Sequence, residues 1–465
     1  MRAKDCFMKM AFKNMASSSE LNLGWSVKQL LDWREVESNR SRLQVQEIKL
    51  SQSGEWQLDS TCSISHHSQR YFRMVGMNYF DIPRKQRLTQ PMIDQPEVGM
   101  LCFLVSRQFG GWKILLQAKA EPGNVNGVQF APSIQATCSN YQRVHQGEPV
   151  PYLDYALKSD FRLYDQLQSE QNSRFLCKRN CNRVVKVSET FPTADSAYQW
   201  VPLNQLFPVL AQSHVINTDA RSVLACWLLS NPDILSKSKL RQGELQLLNS
   251  LVADRPLHDL GDLQHWLDSL NAKWKLDRQQ IPITELGGSW NWDDGNLTSH
   301  NHAFSVRQIA VQCQTRENPA WDQPIIAANK PTNLTTVVSM INGSLHLLLQ
   351  ARLEAGNRDG FELTTTIQAE SIEAQSVEES KYAENLPSVT TSLLRFANSE
   401  EGGRFDQCIS EYEILWAEAN DVLESPFHRW VSLSQISGWL KKTNFITNEL
   451  RSTLSALLAI EFSDA

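Results

Sequence analysis

The residue types that can move protons or hold a phosphate crowd into one segment of this chain, from Gln117 to His145. Lys119 and Glu121 supply opposite charges, and Gln117, Asn124, Gln135, Thr137, Ser139 and Asn140 supply amides and hydroxyls. Tyr141, Arg143 and His145 close the group. Gln117, Lys119 and Glu121 alternate with Ala118 and Ala120, so the two-residue period of a strand sends all three to one face. Set opposite two alanines, such a stripe suits the wall of a pocket. His145 has the pKa range that acid–base work near neutral pH requires and is the first candidate for proton transfer. His67, in ISHHSQRYF, is the other histidine that stands out.

These side chains follow the apolar run Trp112 to Leu116 and lie among Gly123, Gly127 and Pro132, so a turn at a strand end must present them. The arrangement occurs twice. Sliding the chain by 233 positions lays residues 90–137 on 323–370 without a gap, and 18 of those 48 positions are identical. LLQAKAEPGN from Leu115 becomes LLQARLEAGN from Leu348, so Gln350, Arg352 and Glu354 repeat the stripe, and Thr366 and Gln368 follow as Ser133 and Gln135 do. A cation kept at one place while its shape changes fits a diphosphate, which Lys meets as a point charge and Arg as a planar fork. Trp56 falls almost opposite Trp290, and as a repeated pair they are candidate platforms for stacking a nucleobase. QSEQNSRF, Gln168 to Phe175, answers NSEEGGRF, Asn398 to Phe405, which adds Ser173, Arg174, Glu401, Gly402, Gly403 and Arg404 as candidate ligand contacts.

At 465 residues the chain calls for two domains, and the repeat places them at 1–234 and 256–465, with 235–255 as a helical linker. The runs MLCFLVSRQ and WKILLQAKA, and their counterparts TTVVSMI and LHLLLQAR, predict hairpins of half-buried strands. Each half therefore reads as α+β, a mixed sheet with flanking helices, in two tandem diverged copies. A net charge of -6 without long single-sign runs gives no footprint for nucleic acid or anionic lipid. The absence of a long apolar stretch and of a clean leader suggests a cytoplasmic protein. Nine irregularly spaced cysteines fit thiols in a reducing compartment, and the close pair Cys177 and Cys181 lacks the further ligands a zinc site needs. No Gly-rich dinucleotide fingerprint, phosphate-binding loop, HExxH or GxSxG is found, so the expectation is chemistry on side chains alone, with no cofactor and no metal.

QAKAEPGN followed by PSIQATCSNYQRVH resembles the signature of the NDP-hexose 2,3-dehydratases of deoxysugar biosynthesis, and SEQNSRF with SEEGGRF resembles that family's paired later motifs. The resemblance covers nearly the whole chain. It implies loss of water from dTDP-4-keto-6-deoxy-D-glucose to give a 2,6-dideoxy-3,4-diketo sugar nucleotide. It also implies a homodimer of Nudix-like modules and a product passed to a sugar 3-ketoreductase. His145 or Glu121 would be the base, Tyr141 the acid or enolate donor, and Lys119 with Arg143 the diphosphate holders. The second copy has Ala355 for Pro122 and nothing matching SNYQRVH, so the chemistry is expected in the first and binding or support in the second. Two other classes stand beside this one: a non-catalytic nucleotide-sugar-binding protein, and a Nudix-type diphosphate hydrolase, whose carboxylate box neither half carries.

Overall fold

The computed structural model describes residues 25–460, apart from 83–84, 109–110, 142–147, 237–241, 254, 300–301 and 370–376. The predicted hairpin is present: Gly99–Gln108 and Gly111–Ala120 (β1) pair antiparallel at the centre of a seven-stranded sheet. Arg179–Val187 runs parallel to the first of them, with Arg162–Ser169 at the edge, and Tyr198–Pro202 lies antiparallel to β1. Two short strands, Val128–Ala131 and Ile134–Ala136, continue the hairpin's lower end. The helix Thr218–Leu229 (α1) is buried along its whole length, which its apolar second half permits, and it starts where Asn217 accepts the amide of Ala220.

The second half builds the same sheet strand for strand. Thr332–Ile341 and Ser344–Arg352 (β2) form the hairpin, Ile409–Ala417 runs parallel, and Thr390–Ser399 and His428–Ser432 take the flanks. Glu362–Thr364 and Ile367–Ala369 fill the places of the two short strands. A helix at Val377–Val389 (α2) precedes the edge strand, and Asn448–Ala456 (α3) answers α1 and packs on it. Between the halves, Pro232–Ser236 and Gln242–Val252 are helical. Among the described residues no helix is long and apolar enough to cross a membrane.

Consecutive in sequence, the halves interleave in space. Gln44–Ile48 leaves the first half to pair with Phe304–Gln312, and Arg278–Ile281 returns to pair with Arg73–Asp81. One apolar cluster draws Trp56, Phe72 and Phe175 from the first half and Trp290, Phe304 and Phe405 from the second. Two turns clasp reciprocally. Gly123 donates its amide to Gly402 O and accepts from Gln407 N, both at 2.8 Å, while Gly356 donates to Asn172 O at 2.8 Å and accepts from Cys177 N at 2.9 Å. A Cβ on Gly123 would lie 1.6 Å from Phe405 O, and one on Gly356 1.9 Å from Phe175 O, so only glycine permits either approach.

Candidate active site

Two cavities of about 390 Å³ each form where the sheet of one half meets the clasping turn of the other. In the N-terminal cavity the end of β1 provides Lys119 and Glu121, 7 % and 2 % exposed. Lys119 Nζ lies 3.3 Å from Glu121 Oε1 and donates to Gln135 O at 3.1 Å. Gln135 in turn donates to Glu121 Oε1 at 3.0 Å and accepts from Asn217, the cap of α1, at 3.0 Å. The other carboxylate oxygen, Glu121 Oε2, is buried and meets no hydrogen-bond donor among the described residues. Thr137, Ser139 and Asn140 line the same space, where Thr137 Oγ1 donates to Asn140 Oδ1 at 2.8 Å and shares a 2.7 Å hydrogen bond with Ser139 Oγ. From the other half come Glu401, Gly403 and Arg404, whose guanidinium lies 4.2 Å above the ring of Phe72.

The C-terminal cavity repeats this set with a different cation. Arg352 Nε bonds Glu354 Oε1 at 2.9 Å, its Nη1 donates to Gln368 O at 2.9 Å, and Gln368 donates to Glu354 Oε1 at 3.2 Å. Here α2 adds Glu379, whose Oε1 accepts from both Arg352 Nη1 and Gln368 N at 3.0 Å. Ser173 and Arg174 line this cavity rather than that of their own half, with Arg174 3.8 Å above the ring of Phe304. The exchange follows from the clasp, because each turn faces the neighbouring sheet.

Several expected residues lie elsewhere for structural reasons. Gln117 falls one step too far back on the stripe to line the cavity. Asn124 holds its own turn by donating to Gly127 O at 3.3 Å, and Gly402 packs so closely that a Cβ would stand 2.4 Å from Asn124 Oδ1. Thr366 is fully buried and pins the hairpin, accepting from Val337 N at 2.9 Å and donating to Leu348 O at 2.6 Å. Trp56 and Trp290 are 5 % and 7 % exposed, each tied through its indole N–H to the opposite half, at Asp322 O and Thr89 O. Trp56 borders the N-terminal cavity, but rings so covered offer no open face for a base. His67 stands exposed at the rim with Nδ1 3.0 Å from Glu55 O. His145 and Arg143 lie outside the described residues, as does the side chain of Tyr141.

The structure adds residues that the sequence reading passed over. His66, not His67, is buried against Tyr71, with ring centroids 4.4 Å apart. Its Nδ1 accepts the Ser68 amide at 3.0 Å, which requires an unprotonated Nδ1, and burial together with neighbouring His67 lowers its pKa to about 4. Glu170, Lys178 and Asp219 line the N-terminal cavity, each at most 4 % exposed. Glu170 accepts from Asn180 and Asn448 at 2.8 Å each. Burial raises its pKa above the usual carboxylate range, and burial beside Glu170, Glu401 and Glu121 does the same for Asp219. The repeat held a signal for both: Glu170 matches Glu400 within the paired motifs, and Asp219 and Glu449 each stand two residues before the paired Arg221 and Arg451.

Buried carboxyls set against ammonium groups, with one carboxylate oxygen left open, make a site suited to moving protons on a bound molecule. The chain belongs to the NDP-hexose 2,3-dehydratase family, whose model matches residues 27–227 and 260–457. It is 31 % identical over 443 residues to a dTDP-4-dehydro-6-deoxy-alpha-D-glucopyranose 2,3-dehydratase of Saccharopolyspora spinosa, covering 91 % of this chain and 90 % of the relative. A protein of the same name from Streptomyces violaceoruber is 33 % identical over 413 residues, covering 86 % and 90 %. A solved structure titled as an ADP compounds hydrolase aligns with 35 % of this chain and 86 % of its own, at 17 % identity and a TM-score of 0.23, too low to bear on the fold.

Proposed function

We propose that this chain removes water across C2 and C3 of dTDP-4-keto-6-deoxy-D-glucose, and that it does so in the N-terminal cavity. The relatives' names support the substrate. Each cavity holds a buried carboxylate oxygen without a donor among the described residues, Glu121 Oε2 in one and Glu449 Oε2 in the other, so the assignment to the N-terminal cavity rests on the Lys119–Glu121 pair, whose counterpart Arg352 is shared between Glu354 and Glu379. The C4 ketone acidifies the C3 hydrogen. A base takes it, a donor holds the enolate oxygen, the C2 hydroxyl leaves as water, and the enol ketonises with a proton at C2. Each proton transfer by a placed side chain contributes roughly two to four decades in rate, and an enolate donor about two to three more.

Glu121 is the base that the geometry favours, with His145 the alternative, and Tyr141 serves as acid or enolate donor. Lys119, Arg404 and Arg143 hold the diphosphate. The C-terminal cavity binds a nucleotide sugar without turning it over, or supports the fold. We read the halves, 1–234 and 256–465, as diverged copies of one module, a reading supported by their matching strand order and by the two stretches the family model matches. Their Nudix-like character, the homodimer, the cytoplasmic setting and the hand-off to a sugar 3-ketoreductase rest on the family resemblance.

The test is incubation with dTDP-4-keto-6-deoxyglucose in deuterated water, with and without a 3-ketoreductase and NADPH, followed by NMR. Loss of the C2 hydroxyl, trapped by the reductase, is expected. Substrate that binds unchanged would return the binding-protein reading, and sugar phosphate released on adding magnesium would return the hydrolase. Within that assay, Glu121→Gln should lose at least about a hundredfold in turnover.

A further inference from the structure

Among the described residues the charges in the N-terminal cavity do not balance. Seven carboxyls line it, Glu55, Glu121, Glu170, Asp219, Glu317, Asp322 and Glu401, against four cations, Lys119, Lys178, Arg316 and Arg404. Arg316 lies 3.6 Å from Glu317 and also feels Glu121 and Glu401, and Arg451, behind Glu170, is shared with the buried Glu362. Carboxylates packed this closely out of water cannot all ionise, so one retains a proton near neutral pH. A diphosphate entering the cavity adds negative charge and strengthens that retention.

The hydrogen bonds indicate which carboxyl it is. Glu170 receives a carboxamide N–H on each oxygen, and Glu121 Oε1 receives Gln135 and Lys119, contacts that suit ionised acceptors. Asp219, 2 % exposed and lining the cavity, has no side-chain hydrogen bond or ion pair among the described residues, and burial with the nearby charges of Glu170, Glu401 and Glu121 raises its pKa well above the usual carboxylate range. It is the second residue of α1. Asn217 caps that helix and donates to Gln135, which donates to Glu121, so one hydrogen-bond chain fixes the start of α1 relative to the end of β1.

We propose that Asp219 is the catalytic acid that gives its proton to the departing C2 hydroxyl, an inference that rests on the dehydratase reading above. Glu121 takes the C3 proton, and the C3–H electron pair forms the C3–C4 enolate; as the C4 carbonyl re-forms, that pair becomes the C2–C3 double bond. The C2–O bond breaks, and the oxygen leaves as water with the Asp219 proton. Exchange with solvent then returns a proton to Asp219 and removes one from Glu121.

A substrate whose C2 group leaves without a proton separates this role from a structural one. Wild type, Asp219→Asn and Asp219→Glu would be assayed with dTDP-4-keto-6-deoxyglucose and with its 2-deoxy-2-fluoro analogue. Asp219→Asn should lose at least about a hundredfold on the hydroxyl substrate and less than about tenfold on the fluoro analogue, while still exchanging the C3 hydrogen for deuterium. Asp219→Glu, the residue type that the second half carries as Glu449, should stay within about tenfold of wild type on both. Equal losses on the two substrates in a folded Asp219→Asn, or inactive Asp219→Glu that still binds dTDP, would overturn the assignment. A wild type that leaves the hydroxyl substrate unchanged would instead overturn the dehydratase reading itself.

Discussion

The two cavities use the same positions and differ in the charges placed there. Lys119 makes one ion pair in the N-terminal cavity, with Glu121, whereas Arg352, at the matching place, is held between Glu354 and Glu379. Where the first cavity has Lys178, the second has Cys408, and where the first has Glu401, the second has Gln171, which donates to Glu400. The C-terminal cavity has therefore paired Arg352 internally, while burial pushes the pKa of its Glu449 carboxyl up to about 8. A guanidinium already shared by two carboxylates has little left for a phosphate, and losing either partner would expose a buried charge. The comparison teaches that the sheet decides where side chains point, while the balance of charge decides whether the site can move a proton.

The largest effect should come from the clasps that both cavities share. Gly123→Ala and Gly356→Ala each force backbone against backbone, and each should cost about 3 kcal/mol or more in chemical denaturation, the upper end for overpacking. Similar losses would mean that the halves brace each other equally. A loss confined to one variant would break the equivalence of the two turns.

Glu379→Ala sharpens the contrast in charge. Freed from its second carboxylate, Arg352 should bind dTDP in the C-terminal cavity about tenfold more tightly by calorimetry, equivalent to roughly 1.4 kcal/mol. Unchanged binding would remove Arg352 as a phosphate contact.

The smallest effect is on the pH dependence of stability. A carboxyl raised by burial contributes stability that is full below its unfolded pKa and is lost as pH climbs through the folded value. Asp219→Asn should therefore gain melting temperature relative to wild type as pH rises above the unfolded carboxylate pKa of about 4. His66 has the opposite sense, because its folded pKa is depressed to about 4. Wild type should lose stability as pH falls from about 6.5 toward 4, and His66→Gln should flatten that limb. A flat difference in either pair would contradict the assigned direction.

Much of this site was legible in the sequence. The two-residue alternation of Gln117, Lys119 and Glu121 placed the stripe, and the internal match announced a second stripe at Gln350, Arg352 and Glu354. The hairpins followed from paired apolar runs. What stayed hidden was contact between segments far apart in the chain. Nothing local to SEQNSRF tells that Ser173 and Arg174 serve the other half's cavity, because that depends on Gly356 meeting Asn172 across the clasp. Polarity also misled: Asn124 and Thr366 use their hydrogen bonds on a turn and a hairpin. The tryptophans were correctly paired, yet burial in the shared core could not be read from spacing. Asp219 was missed because one acid beginning an apolar helix looks like ordinary first-turn chemistry.

The proposed function puts the dehydration in the N-terminal cavity and none in the C-terminal one. The direct measurement compares Lys119→Met combined with Glu121→Gln against Arg352→Met combined with Glu354→Gln, both folded, in the reductase-coupled NMR assay. No detectable loss of the C2 hydroxyl is expected with the first pair, and turnover within about tenfold of wild type with the second. Turnover surviving the first pair and lost in the second would place the chemistry in the wrong half and contradict the proposal.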